Sequence, residues 1–344
     1  MKYIDLFCGI GGFRLGFDAN GFECVFSSDI DYKVQETYEK NFGEKPFGDI
    51  TQIQSKDIPD FDVLLGGFPC QPFSISGKKK GFEDTRGTLF FEICRIIQDK
   101  QPKVIVLENV KHLIHHDSKK TFQVIIRTLK LLGYYVSFKI LNTKDFGLPQ
   151  NRERIFIIAS KNTFFNFDKI NVNRSLPLKF FLDKEGKFEF LDKSEYTLIH
   201  SSLIKKQVDS GLFFVGYRNK DGFKNGVREN TLHLNRCHRQ PNRIYSIDGY
   251  HPTLPSQETS GRFFVYNPYE DNVRKLTVNE CYRIMGFPEN FIKNPTVGER
   301  YKQIGNSVSV SITQEISKQI IEQNLLNNES QRTVITDLQE LLFV

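Results

Sequence analysis

The first 160 residues alternate short apolar runs with amphipathic stretches, and this rhythm constrains the fold more than any other feature. "KYIDLF", "FECVFSS", "DVLLGG", "KVIVLEN", "YYVSFKIL" and "RERIFIIAS" read as strands. Between them "RLGFDANG", "DYKVQETYEKNF", "TLFFEICRIIQDK" and "KTFQVIIRTLKLLG" read as helices, with Gly21 and Gly133 closing the first and last. Strands that alternate with helices need right-handed crossovers, so the spacing predicts an α/β fold: a mostly parallel, doubly wound (Rossmann-like) sheet covered on both faces.

Beyond residue 160 the rhythm breaks. Until about residue 275 there are scattered short strands among many Asn, Arg, Lys and Gly. A loop-rich region of that length inside an enzyme-sized chain reads as a functional insertion or a second, smaller, irregular β-rich domain. The length of 344 residues also exceeds what one core ordinarily holds. The α/β style returns at "LTVNECYRIMGF", where Thr277 is placed to cap a helix, and continues in "SVSVSITQEISKQIIEQNLL". The last stretch, "NNESQRTVITDLQELLFV", follows a polar break with an amphipathic pattern.

Charge and cysteine usage narrow the classes. A formal net charge of +6 permits a polyanionic partner without demanding one. The cysteines at 8, 24, 70, 94, 237 and 281 form no CxxC pair, so neither a zinc site nor a dithiol redox motif is expected, and no metal. No signal-peptide core and no membrane-length apolar run is present in the sequence, which points to a cytoplasmic protein with reduced thiols.

Chemistry-bearing residues collect where the predicted strands end. "DLFCGIGG" turns tightly after the first strand, but Gly9, Gly11 and Gly12 do not fit G-x-G-x-x-G, which disfavours a nicotinamide cofactor. After the second strand Asp29 is the candidate for ribose hydroxyls, with Asp31 as a rival that could simply cap the next helix; Asp49 in "GDI" could meet an adenine amino group. Cys70 follows Pro69 just past the third strand, before a loop carrying Lys78, Lys79, Lys80 and Arg86. A thiolate there has the positive surroundings a nucleophile needs; a solvated charged loop is the plainer reading. Glu108 in "LENV" ends the fourth strand at the same edge, where burial would let it donate a proton. Arg152 and Arg154 in "QNRERIFI" stand two apart, on one face of a predicted strand.

With Pro69-Cys70, Glu108-Asn109-Val110, Gln150-x-Arg152-x-Arg154 and a late "YKQIGNSV" among six ordered motifs, the chain resembles the DNA (cytosine-5)-methyltransferases of bacterial restriction–modification systems, over roughly residues 1–160 and 240–325. The resemblance implies S-adenosyl-L-methionine, converted to S-adenosyl-L-homocysteine, held at Phe7, Gly9, Ile10, Gly11, Asp29, Ile30, Asp49, Ile50, Pro69, Leu89, Asn306 and Val308. The family usually carries Glu where Asp29 stands and often an aromatic where Ile30 stands. The resemblance further implies that Cys70 adds to carbon-6 of a flipped-out cytosine, with Glu108 on the ring nitrogen and amine, Arg154 on the carbonyl oxygen and Arg152 supporting the cluster. Ser76 and Gln240 would fill the vacated space, Arg86 would meet phosphate, and Arg243 and Thr253 match DNA-binding positions.

The implied division is a catalytic domain, 1–182 plus 276–344, and a target-recognition domain, 183–275. The implied partners are double-stranded DNA, bound by a monomer, and a cognate restriction endonuclease cutting the same site; no membrane is involved, and the protein would sit in the bacterial cytoplasm at the nucleoid. An RNA (tRNA) cytosine-5 methyltransferase on the same scaffold is the runner-up. A catalytically silent DNA-binding relative is disfavoured because Cys70, Glu108, Arg152 and Arg154 are all present.

Overall fold

The alternating runs form one six-stranded sheet. In the computed structural model, which describes residues 1–69, 89–204, 207–219 and 231–327, its strands are β1 (Lys2–Leu6), β2 (Glu23–Ser28), β3 (Val63–Gly66), β4 (Val104–Val110), β5 (Tyr135–Asn142) and β7 (Glu153–Ser160). Their order is β2-β1-β3-β4-β7-β5. The β2-β1-β3-β4 run is parallel, and β7 is antiparallel to β4. The short β6 (Gln150–Asn151) leaves this sheet and pairs with β11 (His251–Pro252) instead.

Helices cover both faces. Ile4 and Leu6 of β1, Ile105 and Leu107 of β4, and Ile155, Ile157 and Ala159 of β7 share one core with α3 (Leu89–Lys100) and α4 (Lys120–Leu131). By the two-residue period of a strand, Tyr3 points the other way, and its ring lies 5.6 Å from Phe17 of α1 (Gly12–Asp18). Helix α1 in turn packs on α7 (Val310–Glu322). A Cβ on Gly16 would come within 2.1 Å of the Thr313 hydroxyl, so this crossing needs glycine. Thr313 and Ser317 donate to the carbonyls of Gly12 and Gly16 at 3.0 and 2.9 Å. Helix α2 (Tyr32–Phe42) follows β2 and ends in Gly43 with left-handed φ.

By packing, the chain divides into two compact units. One comprises Met1–Leu141, Glu153–Asn171 and the chain from Val308; the other comprises Asn142–Arg152 and Val172–Ser307. This division draws more of the chain into the second unit than residues 183–275. The second unit is built on a five-stranded sheet, ordered β13-β12-β10-β9-β8. Its strands are β8 (Tyr196–Leu198), β9 (Phe214–Arg218), β10 (Arg243–Ser246), β12 (Phe264–Asn267) and β13 (Asn272–Lys275). Val215 and Ile244 join one apolar cluster while their neighbours Phe214 and Tyr245 join another, so alternation supplies a core on each face.

Thr277 caps α5 (Val278–Arg283) through a reciprocal capping box with Glu280, as its position before an apolar run predicts. Glu280 is also ion-paired with Arg274 at 2.7 Å, both side chains buried. Helix α6 (Val297–Asn306) was not anticipated from the sequence, although Val297, Tyr301 and Ile304 have helical spacing. Among the described residues, no helix is long and apolar enough to cross a membrane.

Candidate active site

In the first unit, pairing register puts Ser28, Leu6, Gly66 and Leu107 in one row across four parallel strands. Whatever follows each of these residues is delivered to the carboxyl edge of the sheet, where open α/β folds bind ligands. After Leu6 come Phe7, Gly9 and Gly11, with φ of 57°, 54° and 86°. The first is costly for a side-chain-bearing residue and marks a strained turn. A Cβ on Gly9 would meet open space, whereas one on Gly11 would run into the Phe42 ring at 2.3 Å.

Asp29 follows Ser28, and its carboxylate accepts the N–H groups of Gly9 at 3.0 Å and Asp31 at 2.9 Å. It thereby fastens the glycine turn to the end of β2. Asp31 caps α2 by accepting the Lys33 N–H, the role weighed for it above. Ile30, between them, is 74% exposed, an apolar side chain left bare at the ligand edge. Asp49 accepts the Thr51 N–H, Ile50 beside it is buried, and Leu89 opens α3 half-buried. Ile10 is buried under the turn.

After Leu107 stands Glu108. Because β7 runs antiparallel, Arg154 arrives at the same edge, diagonally across from Glu108, with Phe156 directly opposite the glutamate. Arg154 Nε lies 3.2 Å from Glu108 Oε1, both side chains largely buried. Burial holds the Arg154 pKa below the usual arginine value, partly offset by the Glu108 charge, yet an arginine so shifted remains a cation. The pair presents a carboxyl group and a guanidinium side by side, the donor and acceptor set that grips an amide-like ring edge.

Asn109, to which the sequence assigned no role of its own, is 3% exposed and donates to the Phe68 carbonyl at 2.9 Å. It ties the end of β4 to the end of β3, one residue before Pro69, which is exposed. The signal was its place beside Glu108 in "LENV". Cys70, Ser76 and Arg86 lie outside the described residues.

The second unit holds the remaining candidates. Arg152 is not on the strand face shared with Arg154: it falls in the break between β6 and β7, where the chain leaves one sheet for another. It is 2% exposed, and its Nη2 donates to the carbonyls of Gly305 at 3.1 Å and Ser307 at 2.7 Å. Those carbonyls flank Asn306, whose own side chain is exposed; Val308, where the first unit resumes, is buried. Gln150 is fully buried and links two further segments, donating to the Ile284 carbonyl and accepting the Leu254 N–H.

Gln240, Arg243 and Thr253 do come together. They line a cavity of about 150 Å³ with Asn151, Tyr245 and Arg262. Thr253 donates to the Asn151 carbonyl at 3.0 Å and Arg243 Nε to the His238 carbonyl at 3.1 Å, which fixes both around the opening.

Comparisons place the chain among known proteins. The C-5 cytosine-specific DNA methylase family matches residues 1–322. The Type II methyltransferase M.HhaI of Haemophilus parahaemolyticus is 41% identical over 327 residues, covering 93% of this chain and 94% of that one. M.NgoBI of Neisseria gonorrhoeae is 44% identical over 320 residues, covering 92% of each. Among solved structures, a DNA modification methyltransferase of an Escherichia coli prophage, described as putative, superposes with a TM-score of 0.65 at 21% identity, over 95% of this chain and 100% of that one. At that identity the last likeness speaks for the fold alone.

Proposed function

The chain belongs to the C-5 cytosine-specific DNA methylase family, and from that premise we propose how its residues carry out methyl transfer to carbon-5 of cytosine in duplex DNA. The activity itself, that of a DNA cytosine-5 methyltransferase, follows from the family and from relatives named as Type II methyltransferases. The same names do not favour the RNA reading.

Residues at the carboxyl edge fit S-adenosyl-L-methionine. The turn at Phe7, Gly9 and Gly11, left-handed at each, opens backbone to a ligand with Ile10 beneath it, and Asp29, whose carboxylate already fastens that turn, is the candidate for ribose hydroxyls. Ile30 offers apolar surface to a purine, and the family likeness adds Asp49, Ile50, Pro69, Leu89, Asn306 and Val308 as cofactor-binding positions. S-adenosyl-L-methionine held there would supply an electrophilic methyl group on a sulfonium, with S-adenosyl-L-homocysteine as the product.

Carbon-5 of cytosine is too weak a nucleophile to take that methyl group unaided. Cys70, as thiolate, adds to carbon-6, and the electron pair of the 5,6 double bond becomes available at carbon-5. Glu108 hydrogen-bonds ring nitrogen 3 and the exocyclic amine, Arg154 holds the carbonyl oxygen, and their mutual contact keeps both in place as charge develops. After transfer a base removes the carbon-5 proton, the double bond re-forms and the thiolate leaves. A stacked base is out of reach, so the cytosine flips out at a cost of a few kcal/mol, about what one stacked pair supplies. Ser76 and Gln240 fill its place, Arg86 meets phosphate, and Arg243 and Thr253 contact the DNA from the 183–275 recognition domain; 1–182 plus 276–344 form the catalytic domain. A monomer acts on DNA, in the bacterial cytoplasm, beside a cognate endonuclease of the same site.

The single observation carrying this reading is the buried Glu108–Arg154 pair at 3.2 Å, on the edge to which Asn109 fastens the segment leading to Cys70. DNA bearing 5-fluorocytosine cannot lose the carbon-5 substituent as a proton. With cofactor it should trap the wild-type protein covalently and fail to trap Cys70→Ser, which should still bind DNA. No adduct, or an adduct elsewhere, refutes the assignment.

A further inference from the structure

The cavity that gathers Gln240, Arg243 and Thr253 contains a second guanidinium that no motif brought to attention. Arg262 lines the same opening, in the turn just before β12. Its backbone is pinned from three directions. The Arg262 N–H faces the Ser260 hydroxyl oxygen at 3.4 Å, its carbonyl lies 3.0 Å from His251 Nε2, and Gly261 before it is pressed on Pro241 so closely that a Cβ would come within 2.0 Å of the Pro241 carbonyl. The 240–242 and 261–263 turns therefore hold Gln240 and Arg262 in a fixed relation.

The side chain is frustrated in the absence of a ligand. Arg262 is half-buried, and its Nε is sealed from solvent without a hydrogen-bond partner. Among the described residues no carboxylate lies within ion-pair distance of Arg262 or Arg243, and no acidic residue lines the cavity. Burial and the neighbouring Arg243 charge both push the Arg262 pKa down. Folded proteins rarely desolvate two adjacent cations without pairing them, because the cost is high. Such a pair makes sense where the acceptor arrives from outside.

Two kinds of acceptor on DNA are conceivable: a phosphate, or the edge of a base. Phosphates gather Lys and Arg with hydroxyl, amide and backbone N–H donors, and such contacts carry no sequence information. Arg262 lines a concave opening, its Nε sealed from solvent, among amide, hydroxyl and phenol groups with no lysine in the lining. That is the presentation suited to the paired O6 and N7 acceptors of guanine. We propose that Arg262 is a specificity-determining residue, reading a guanine edge within the recognition sequence beside Arg243. This rests on the reading of the chain as a site-specific DNA methyltransferase.

The test is to map methylated positions by bisulfite sequencing in DNA carrying all sequences, for the wild type, Arg262→Ala and Arg262→Lys. Both variants should relax the site at one base pair, with discrimination there reduced about 10- to 100-fold, while the salt dependence of DNA binding keeps the wild-type slope. Lysine keeps the charge but lacks the planar fork that meets both acceptors in one fixed geometry, so it answers the question should the alanine variant unfold. Full discrimination in Arg262→Lys, an unaltered site in both variants, or uniform weakening with a salt slope shallower by about 1, the mark of a phosphate contact, each overturns the proposal. Absence of any defined site in the wild type would instead sink the underlying reading.

Discussion

Arg154 reaches Glu108 across the β4–β7 ladder from a diagonal position, Nε to Oε1 at 3.2 Å, while the residue directly opposite Glu108 is Phe156. The antiparallel insertion of β7 into a parallel sheet creates this meeting. A parallel strand would deliver its first residues, and so its early arginine, to the opposite edge. Removing either partner breaks a pair between two largely buried side chains, which is costly. Glu108→Gln keeps shape and hydrogen bonding but loses the acid function. Its rate of methyl transfer should fall about 10²- to 10⁴-fold with DNA affinity retained, checked by single-turnover assays with labelled cofactor. An unchanged rate removes Glu108 from the chemistry.

Arg152 donates to the carbonyls on either side of Asn306. It acts as a positioning residue for that turn. Arg152→Lys cannot span both carbonyls with a planar fork. The expected result is a KM for S-adenosyl-L-methionine raised about tenfold, corresponding to roughly 1.4 kcal/mol of lost binding, with kcat less affected. A loss confined to kcat would place Arg152 at the reacting base instead.

Asn109 gives a separate handle on geometry. Its amide bond to the Phe68 carbonyl is the described link between the glutamate strand and the segment before Cys70. Asn109→Ala deletes a buried hydrogen bond and leaves that carbonyl without its partner, which costs about 1–3 kcal/mol. Thermal unfolding should report that loss. Asn109→Ser, smaller but polar, should recover part of the stability yet little of the turnover, because it cannot reach the same atom. Equal recovery of both would assign Asn109 a structural role only.

The parts of the fold legible in the sequence were those written in period and punctuation. The strands and helices before residue 160 appear with ends shifted by a residue or two, because apolar alternation and closing glycines act locally. Thr277 was legible for the same reason: a capping box is a local pattern. Arg152 was misread because two residues of even spacing suggest one strand face only if the strand continues, and here the chain changes sheets between them. Arg262 was invisible, and Asn109 visible only as the neighbour of Glu108, because their significance lies in long-range neighbours, the Gly261–Pro241 contact and the Phe68 carbonyl, which no window along the chain contains.

His251 supplies a prediction that reads the recognition unit through pH. The ring is fully buried, with Nδ1 facing the Pro252 carbonyl and Nε2 facing the Arg262 carbonyl. Burial pushes its pKa down from 6.5 to about 4, against the pull of the two carbonyls. The folded protein therefore binds fewer protons here than the unfolded chain between those values, so stability is complete above about pH 6.5 and declines as pH falls toward 4. The full effect is on the order of 3 kcal/mol. Asp5 works in the opposite sense. Its buried carboxyl meets no hydrogen-bond partner among the described residues, and burial raises its pKa, so its contribution is present at low pH and is lost as pH rises. Asp5→Asn removes that opposing slope and isolates the histidine. Unfolding midpoints of Asp5→Asn measured from pH 4 to 8 should drop on the acid side, and His251→Asn in the same background should flatten the curve. A drop that persists without His251 would assign the acid lability to other groups.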